Sequence, residues 1–127
     1  MIERDNVFQC PIEVTIAVVG GKWKVVILWH LRKEPKRPAE LKRLMPNISD
    51  KMLTQQLREL EADGIVGRTV HREGPPRVDY FLTELGQSML PMLDAIGQWG
   101  MHFVESLGDA APTVVVLENR PKRERNR

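Results

Sequence analysis

The sequence predicts a mainly α-helical domain with one small β-hairpin. Apolar residues recur at helical spacing in several stretches before residue 64 and in one long stretch after residue 83. Between them, IVGRTVHR and RVDYFL alternate around the turn sequence EGPP, as two paired strands do. A chain of 127 residues, 42 % hydrophobic and 28 % charged, is long enough to bury one core. We therefore expect a single folded domain.

The first two helices are delimited by proline and glycine. The first is predicted to begin at Cys10-Pro11, because proline fits the first turn of a helix, and to end at Gly20-Gly21. The second helix follows at once, and one stripe of it is predicted to face the core: Trp23, Val26, Ile27 and Leu31. This spacing makes Trp23 a core anchor rather than a ring that stacks on a ligand.

Two short helices with a tight connection follow. The third is predicted from about Pro38 to Met45 and is stopped by Pro46. Only residues 46–48 separate it from Ser49, which is placed to cap a fourth helix over about 49–63. Helices joined this tightly cross at a steep angle, which is the geometry of a helix-turn-helix.

The fourth helix has two chemically different faces. At roughly 100° per residue, its leucines cluster within about 60° of one another. They are Leu53, Leu57 and Leu60. Lys51, Gln55 and Arg58 point nearly opposite. The outer face is either ordinary solvated surface or a surface that reads a ligand, and its surroundings favour the second interpretation.

The hairpin after the fourth helix carries basic residues. Gly64 is placed to close that helix, and the strands are predicted within about 66–82, with the turn at residues 73–77. A helix-turn-helix followed directly by such a hairpin is a winged helix, and the hairpin is its wing. Its arginines are Arg68, Arg72 and Arg77. They either solubilise an edge hairpin or extend a nucleic-acid surface from the helix.

Charge is distributed unevenly along the chain. Residues 32–77 carry 11 Lys and Arg against 7 Asp and Glu, and residues 120–127 carry 5 against 1. The remaining residues carry 3 against 9, so the overall net charge is only +2. The basic excess therefore coincides with the predicted helix-turn-helix and wing, where it would attract a polyanion.

Several classes of protein are not indicated. One cysteine cannot form an intramolecular disulfide, and His30, His71 and His102 are too scattered to predict a metal site, so we expect no metal or cofactor. Neither a signal peptide nor a run of about 18 apolar residues occurs, so we expect a cytoplasmic protein without a membrane span. No motif places a histidine or an acid beside Cys10, and no phosphate loop occurs, so a thiol enzyme is the weakest hypothesis.

The last helical stretch carries more apolar surface than a small core can cover. It is predicted to be capped by Thr83, to be kinked by Pro91 and to bear the apolar residues Leu85, Met89, Met92, Leu93, Ile96, Trp99 and Phe103. We interpret it as a dimerisation helix, with packing against its own domain as the alternative. The domain is expected to span 1–108. Residues 109–127 form an extension in which TVVVL suggests a strand and NRPKRERNR a flexible basic tail.

Three stretches together resemble one family. CPIEVTIAVVGGKWKVVILWHL, KMLTQQLRELEADGIVGR and PPRVDYFLTELGQSMLPML are similar, in order and spacing, to the signature stretches of HxlR-type transcriptional regulators, which are relatives of the MarR winged-helix group. The similarity covers about Cys10 to Gly100. It implies a homodimeric bacterial or archaeal DNA-binding regulator in which the first and last helices build the dimer. Pro38-Ala39 departs from the family pattern, and so does the chain after Leu107.

The expected roles at the DNA follow from side-chain chemistry. Lys51, Gln55 and Arg58 would enter the major groove of double-stranded DNA, where glutamine pairs with adenine and arginine or lysine with guanine. Phosphate contacts are assigned to Lys42, Arg43, Ser49, Thr54 and the wing arginines. Arg72 or Arg77 would alternatively reach a minor groove. A winged helix that contacts only protein is the second hypothesis.

Cys10 is the candidate for redox control. Its place at the start of the first helix puts its sulfur near unpaired N–H groups, which favour the reactive thiolate. The resemblance adds that several HxlR-type regulators sense oxidants or electrophiles through a cysteine in this segment, whereas others do not. The alternative is a small capping residue. The operator and any small-molecule effector are left open.

Overall fold

The computed structural model describes residues 2–119 as a winged helix-turn-helix fold, as predicted. Its helices and strands are α1 Pro11–Val19, α2 Lys24–His30, α3 Pro38–Leu44, α4 Asp50–Ala62, β1 Val66–His71, β2 Arg77–Leu82, α5 Glu84–Gln87 and α6 Leu90–Ser106. Two short 3₁₀ helices follow, at Gly108–Ala110 and Leu117–Asn119. The predicted basic tail at 120–127 lies outside the described residues.

The ends of α1 are set as the sequence predicts. Pro11 occupies the first turn, and Gly20 caps the carboxyl end by donating its N–H to the Ile16 carbonyl oxygen at 2.7 Å. A Cβ atom at position 20 would lie 2.3 Å from that oxygen, so only glycine fits there. The chain can therefore turn directly from α1 into α2.

The core stripe of α2 differs from the predicted one at two positions. Ile27 and Leu31 are buried and Trp23 packs against the core, but Val26 is exposed and Leu28 is fully buried. Contacts with three neighbours, α3, α4 and α6, surround more of α2 than one stripe covers. The adjacent pair Ile27 and Leu28 therefore both face apolar partners, and Val26 is turned to the outside.

The helix-turn-helix is built from α3, a short turn and α4. Met45 and Ile48 are buried in the turn, and the Ser49 hydroxyl accepts the Met52 backbone N–H at 3.0 Å. The leucines at 53, 57 and 60 face the core, as predicted. Gly64 closes α4 with a φ of +75°, a left-handed conformation that favours glycine.

The wing is an antiparallel hairpin whose register runs from Val66 opposite Leu82 to His71 opposite Arg77. Beyond it, the backbone of Lys36 pairs with Tyr80 through two hydrogen bonds of 2.8 and 2.9 Å. The segment between α2 and α3 therefore holds the outer edge of β2. These bonds fix the base of the wing against the helix-turn-helix.

Thr83 joins three elements at one point. Its hydroxyl donates to the Gly64 carbonyl oxygen at 2.6 Å, and Thr83 Oγ1 accepts the Gly86 backbone N–H at 3.1 Å. A Cβ atom at position 86 would lie 2.2 Å from the Ile65 carbonyl oxygen, so Gly86 lets α5 lie directly against the start of β1. We call Thr83, Gly64, Ile65 and Gly86 the Thr83 joint.

The last helical stretch is broken, and the prediction of one kinked helix was wrong. α5 ends at Gln87, and α6 begins at Leu90 with Pro91 in its first turn. Proline has no N–H to donate and its ring crowds the preceding turn, so it favours the start of a new helix over the interior of an old one. No helix within residues 2–119 is long and apolar enough to cross a membrane.

The C-terminal segment returns to α2. The predicted strand at 113–117 was wrong, because residues 111–116 have no regular structure and the paired strands described within 2–119 are those of the wing. Glu118 accepts two hydrogen bonds from the Arg32 guanidinium, at 2.6 and 3.1 Å, and lies 3.9 Å from His30 Nδ1. The guanidinium in turn lies 3.8 Å from the centre of the Trp29 ring. We call these four residues the C-terminal clasp.

Candidate nucleic-acid interface

The outer face of α4 is solvent-exposed, and we call Lys51, Gln55 and Arg58 the reading face. Thr54 lies beside them, and the carboxylates of Asp50 and Glu59 lie on the same side of the helix. A shallow depression is lined by Asp50, Lys51, Thr54, Gln55, Arg58 and Glu59. The structure therefore brings together the predicted base-contacting side chains on a helix whose opposite side is anchored in the core.

The predicted phosphate-contacting residues near the turn differ in availability. Arg43 and Ser49 are exposed, and the Ser49 hydroxyl still has a proton to donate after accepting the Met52 N–H. Lys42 is half-buried, and its ammonium group donates to the carbonyl oxygens of Pro46 and Ile48. Lys42 thus holds the turn between α3 and α4, a structural role that its predicted phosphate contact did not anticipate.

The wing arginines are exposed but not equivalent. Arg68 Nε lies 3.6 Å from Glu61 Oε2 on α4, so part of its charge is compensated. Arg72 and Arg77 flank the turn of the hairpin and are exposed to solvent. Of the three wing arginines, Arg68 is therefore the one whose charge is paired within residues 2–119.

A cluster of ion pairs around Asp79 in the wing was not predicted from the sequence. His71 Nε2 lies 2.9 Å from Asp79 Oδ2, and Arg37 Nε lies 3.8 Å from Asp79 Oδ1. In the hairpin register Asp79 is opposite Thr69, one diagonal step from His71. That register was the available signal for the His71 contact, whereas Arg37 approaches from outside the hairpin.

Cys10 lies at the start of α1 and is half-buried. Its side chain forms no hydrogen bond to the first turn, so it does not cap the helix through its sulfur. Glu13 in that turn accepts the Gln9 backbone N–H at 2.7 Å. Within residues 2–119, no three His, Cys, Asp or Glu side chains are grouped in a way that could hold a metal ion.

The first and last helices expose large apolar side chains. Ile12 and Ile16 on α1 are 67 % and 61 % exposed. On α6, Trp99 and Phe103 stack with ring centres 5.4 Å apart, and both remain about half exposed or more. Surfaces of this kind mark contact sites for other molecules when they are contiguous.

Comparisons with known proteins agree with this geometry. The HTH-type transcriptional regulator YtcD of Bacillus subtilis is 48 % identical over 120 residues, which cover 92 % of this chain and 95 % of YtcD. A crystal structure of ytcD superposes with a TM-score of 0.72 and 54 % identity, covering 76 % of this chain and 99 % of that one. The redox regulator HypR in its oxidized form superposes with a TM-score of 0.71 and 47 % identity, covering 73 % and 96 % of the two chains.

The family assignment rests on most of the folded chain. The model of the HxlR-like helix-turn-helix family matches residues 18–107, from the end of α1 to the end of α6. That range contains the helix-turn-helix, the wing and the Thr83 joint. The protein therefore belongs to the HxlR-like helix-turn-helix family, as the resemblance of its signature stretches predicted.

Proposed function

We propose that this protein is a transcriptional regulator that binds double-stranded DNA as a homodimer. The observation that carries the proposal is the reading face, which is exposed on a helix whose other side is buried. A face this rigidly supported can hold side chains at the edges of base pairs. Membership of a family of helix-turn-helix regulators supports the same function.

The proposed contacts divide into base contacts and phosphate contacts. Gln55 and Arg58, with Lys51, read bases in the major groove. Phosphate contacts are proposed for Arg43, Ser49, Thr54, Arg68, Arg72 and Arg77. Lys42 contributes its charge from within the turn that it stabilises. Arg72 or Arg77, near the wing tip, is also placed to enter a neighbouring minor groove.

The homodimer is proposed to form through the exposed apolar residues of α1 and α6. A two-fold dimer presents two copies of α4, so the operator should be roughly palindromic, with half-sites about 34 Å apart. Residues 1–108 would form the DNA-binding unit and 109–127 a basic extension. Action on chromosomal DNA puts the protein in the cytoplasm, and the proposal assigns it no enzymatic role.

DNA binding is tested with the site that the protein selects from its own genome. Gln55→Ala and Arg58→Ala should each reduce the preference for that site over random DNA by about 1 to 3 kcal/mol. Arg77→Ala should weaken binding to both DNAs and flatten the salt dependence. Arg4→Ala, an exposed arginine outside this surface, is the matched control. A wild-type protein without salt-dependent DNA binding would favour a module that contacts only protein.

Redox control through Cys10 is the second part of the proposal. Cys10 is the only cysteine, is half-buried and adjoins the exposed apolar side of α1. The existence of an oxidized form of HypR supports this assignment. Oxidation of a single thiol ends in a disulfide between subunits, a mixed disulfide or over-oxidation. Operator binding by wild type should respond to diamide or a quinone, and Cys10→Ser should not respond. An equal response of both proteins would remove Cys10 from the mechanism.

A further inference from the structure

A buried lysine on α2, Lys24, contacts the recognition helix α4 from within the protein. Lys24 on α2 is only 6 % exposed, and its Nζ lies 3.6 Å from Oε1 of Glu59 on α4. Removing an ammonium group from water is costly unless a partner compensates it. The sequence offers many exposed positions for a lysine, so its burial against this particular carboxylate requires an explanation.

The partner carboxylate stands at the edge of the reading face. At 100° per residue, Glu59 lies about 40° around α4 from Gln55 and about 80° from Lys51. Its second oxygen accepts a hydrogen bond from Gln56 Nε2 at 3.2 Å. Glu59 is therefore held by one group from α2 and one from its own helix, and both draw it away from the reading face.

A released Glu59 would interfere with DNA binding in two ways. Residues 55 and 59 are four apart on one helix, so their side chains can meet, and a free carboxylate would accept the Gln55 amide N–H. That contact would occupy the donor that Gln55 offers to a base. An uncompensated negative charge beside the groove would also repel phosphates.

We propose that Lys24 is a positioning residue for DNA recognition. Its ammonium group holds Glu59 against α2, cancels the charge of that carboxylate and leaves Gln55 free to contact DNA. This inference rests on the proposed DNA-binding function, and it adds a requirement located on α2, outside the helix-turn-helix itself. The pair acts on recognition through a side chain that never touches the nucleic acid.

The test is a double-mutant cycle with operator DNA and random DNA. Lys24→Met should weaken operator binding by about tenfold and reduce the preference over random DNA, because Glu59 is released. Glu59→Gln alone should bind both DNAs about twofold more tightly, since one negative charge is lost. The double variant should recover the operator preference of Glu59→Gln, although Lys24 is absent. Lys24→Arg should retain most of the wild-type preference.

Folding is followed separately by circular dichroism and urea unfolding of each variant. If Lys24→Met does not fold, Lys24→Gln takes its place in the cycle, and failure of both to fold would overturn the inference in favour of a structural role. A double variant as weak as Lys24→Met would also overturn it, because loss of Lys24 packing would then explain the defect. If wild type binds its operator and the cycle shows no coupling, only this inference fails. If wild type binds no DNA, the proposed function fails as well.

Discussion

α4 and α6 use apolar residues in opposite ways. The three leucines of α4 are all at most 3 % exposed, and its polar side chains face outward. In α6 Leu93 is buried, but Ile96, Trp99 and Phe103 are about half exposed or more. The recognition helix is thus completed by its own chain, whereas the last helix leaves much of its apolar surface uncovered. In the proposed dimer, the recognition helix would therefore be stabilised by its own chain and α6 by the second copy.

The largest expected effect is on the free energy of unfolding, which should respond differently to truncation of a leucine in α4 and of an apolar side chain in α6. Leu57→Ala should cost about 2 to 5 kcal/mol of unfolding free energy, because the leucine is 1 % exposed and its loss leaves a cavity. Ile96→Ala should cost about 0.5 kcal/mol or less within the single chain, because its side chain is already exposed. Urea unfolding at several protein concentrations distinguishes stabilisation within one chain, which does not depend on concentration, from stabilisation by association, which does. Equal losses at every concentration would mean that α6 is supported within its own chain.

The next effect concerns association of two chains. Trp99→Ala should raise the dissociation constant of the dimer by about 30-fold, as removal of a central aromatic residue from an interface does. Sedimentation velocity over a dilution series measures the shift, with Gln98→Ala, an exposed polar neighbour on α6, as the control. Wild type that stays monomeric at micromolar concentration would contradict the proposed dimer and leave the exposed face of α6 for another partner.

The smallest effect comes from the C-terminal clasp, which lies outside both helices. Burial lowers the pKa of His30 below its usual 6.5, although the charge of Glu118 opposes that shift. A hydrogen bond from Arg32 lowers the pKa of Glu118 below its usual 4.5. Both groups bind protons more weakly in the folded chain than in the unfolded one. Their stabilisation is therefore complete above pH 6.5 and declines as pH falls, first through His30 and then, below 4.5, through Glu118.

Thermal unfolding of wild type, His30→Gln and Glu118→Gln between about pH 7.5 and about pH 3 tests this order. His30→Gln should lose the part of the pH dependence that begins below 6.5. Glu118→Gln should lose the more acidic part and should also weaken the contact with Arg32. Identical pH profiles for all three proteins would show that neither His30 nor Glu118 contributes to the pH dependence of stability.

Local patterns predicted most of the fold. The spacing of the leucines, the Ser49 cap and Gly64 together define α4 to within a residue at each end, because each acts within one or two helical turns. The wing strands follow from alternation in the same way. Contacts between distant residues could not be predicted. Nothing in the local sequence around Lys24 or Arg32 identifies Glu59 or Glu118 as its ion-pair partner. The same holds for Lys42 at the candidate site. Its positive charge predicted a contact with a DNA phosphate, but its ammonium group donates to carbonyl oxygens of the turn.

The Thr83 joint has a mechanical consequence. The Thr83 hydroxyl ties Gly64, which closes the recognition helix, to the start of α5, and Gly86 lets α5 lie directly against Ile65 at the start of β1. In the proposed dimer, a rotation imposed on α6 by the second subunit would reach α4 through α5 and the Thr83 joint. The distance between the two reading faces of that dimer would then depend on how its two copies of α6 are arranged. A change in that arrangement would appear at the DNA as a change in half-site spacing.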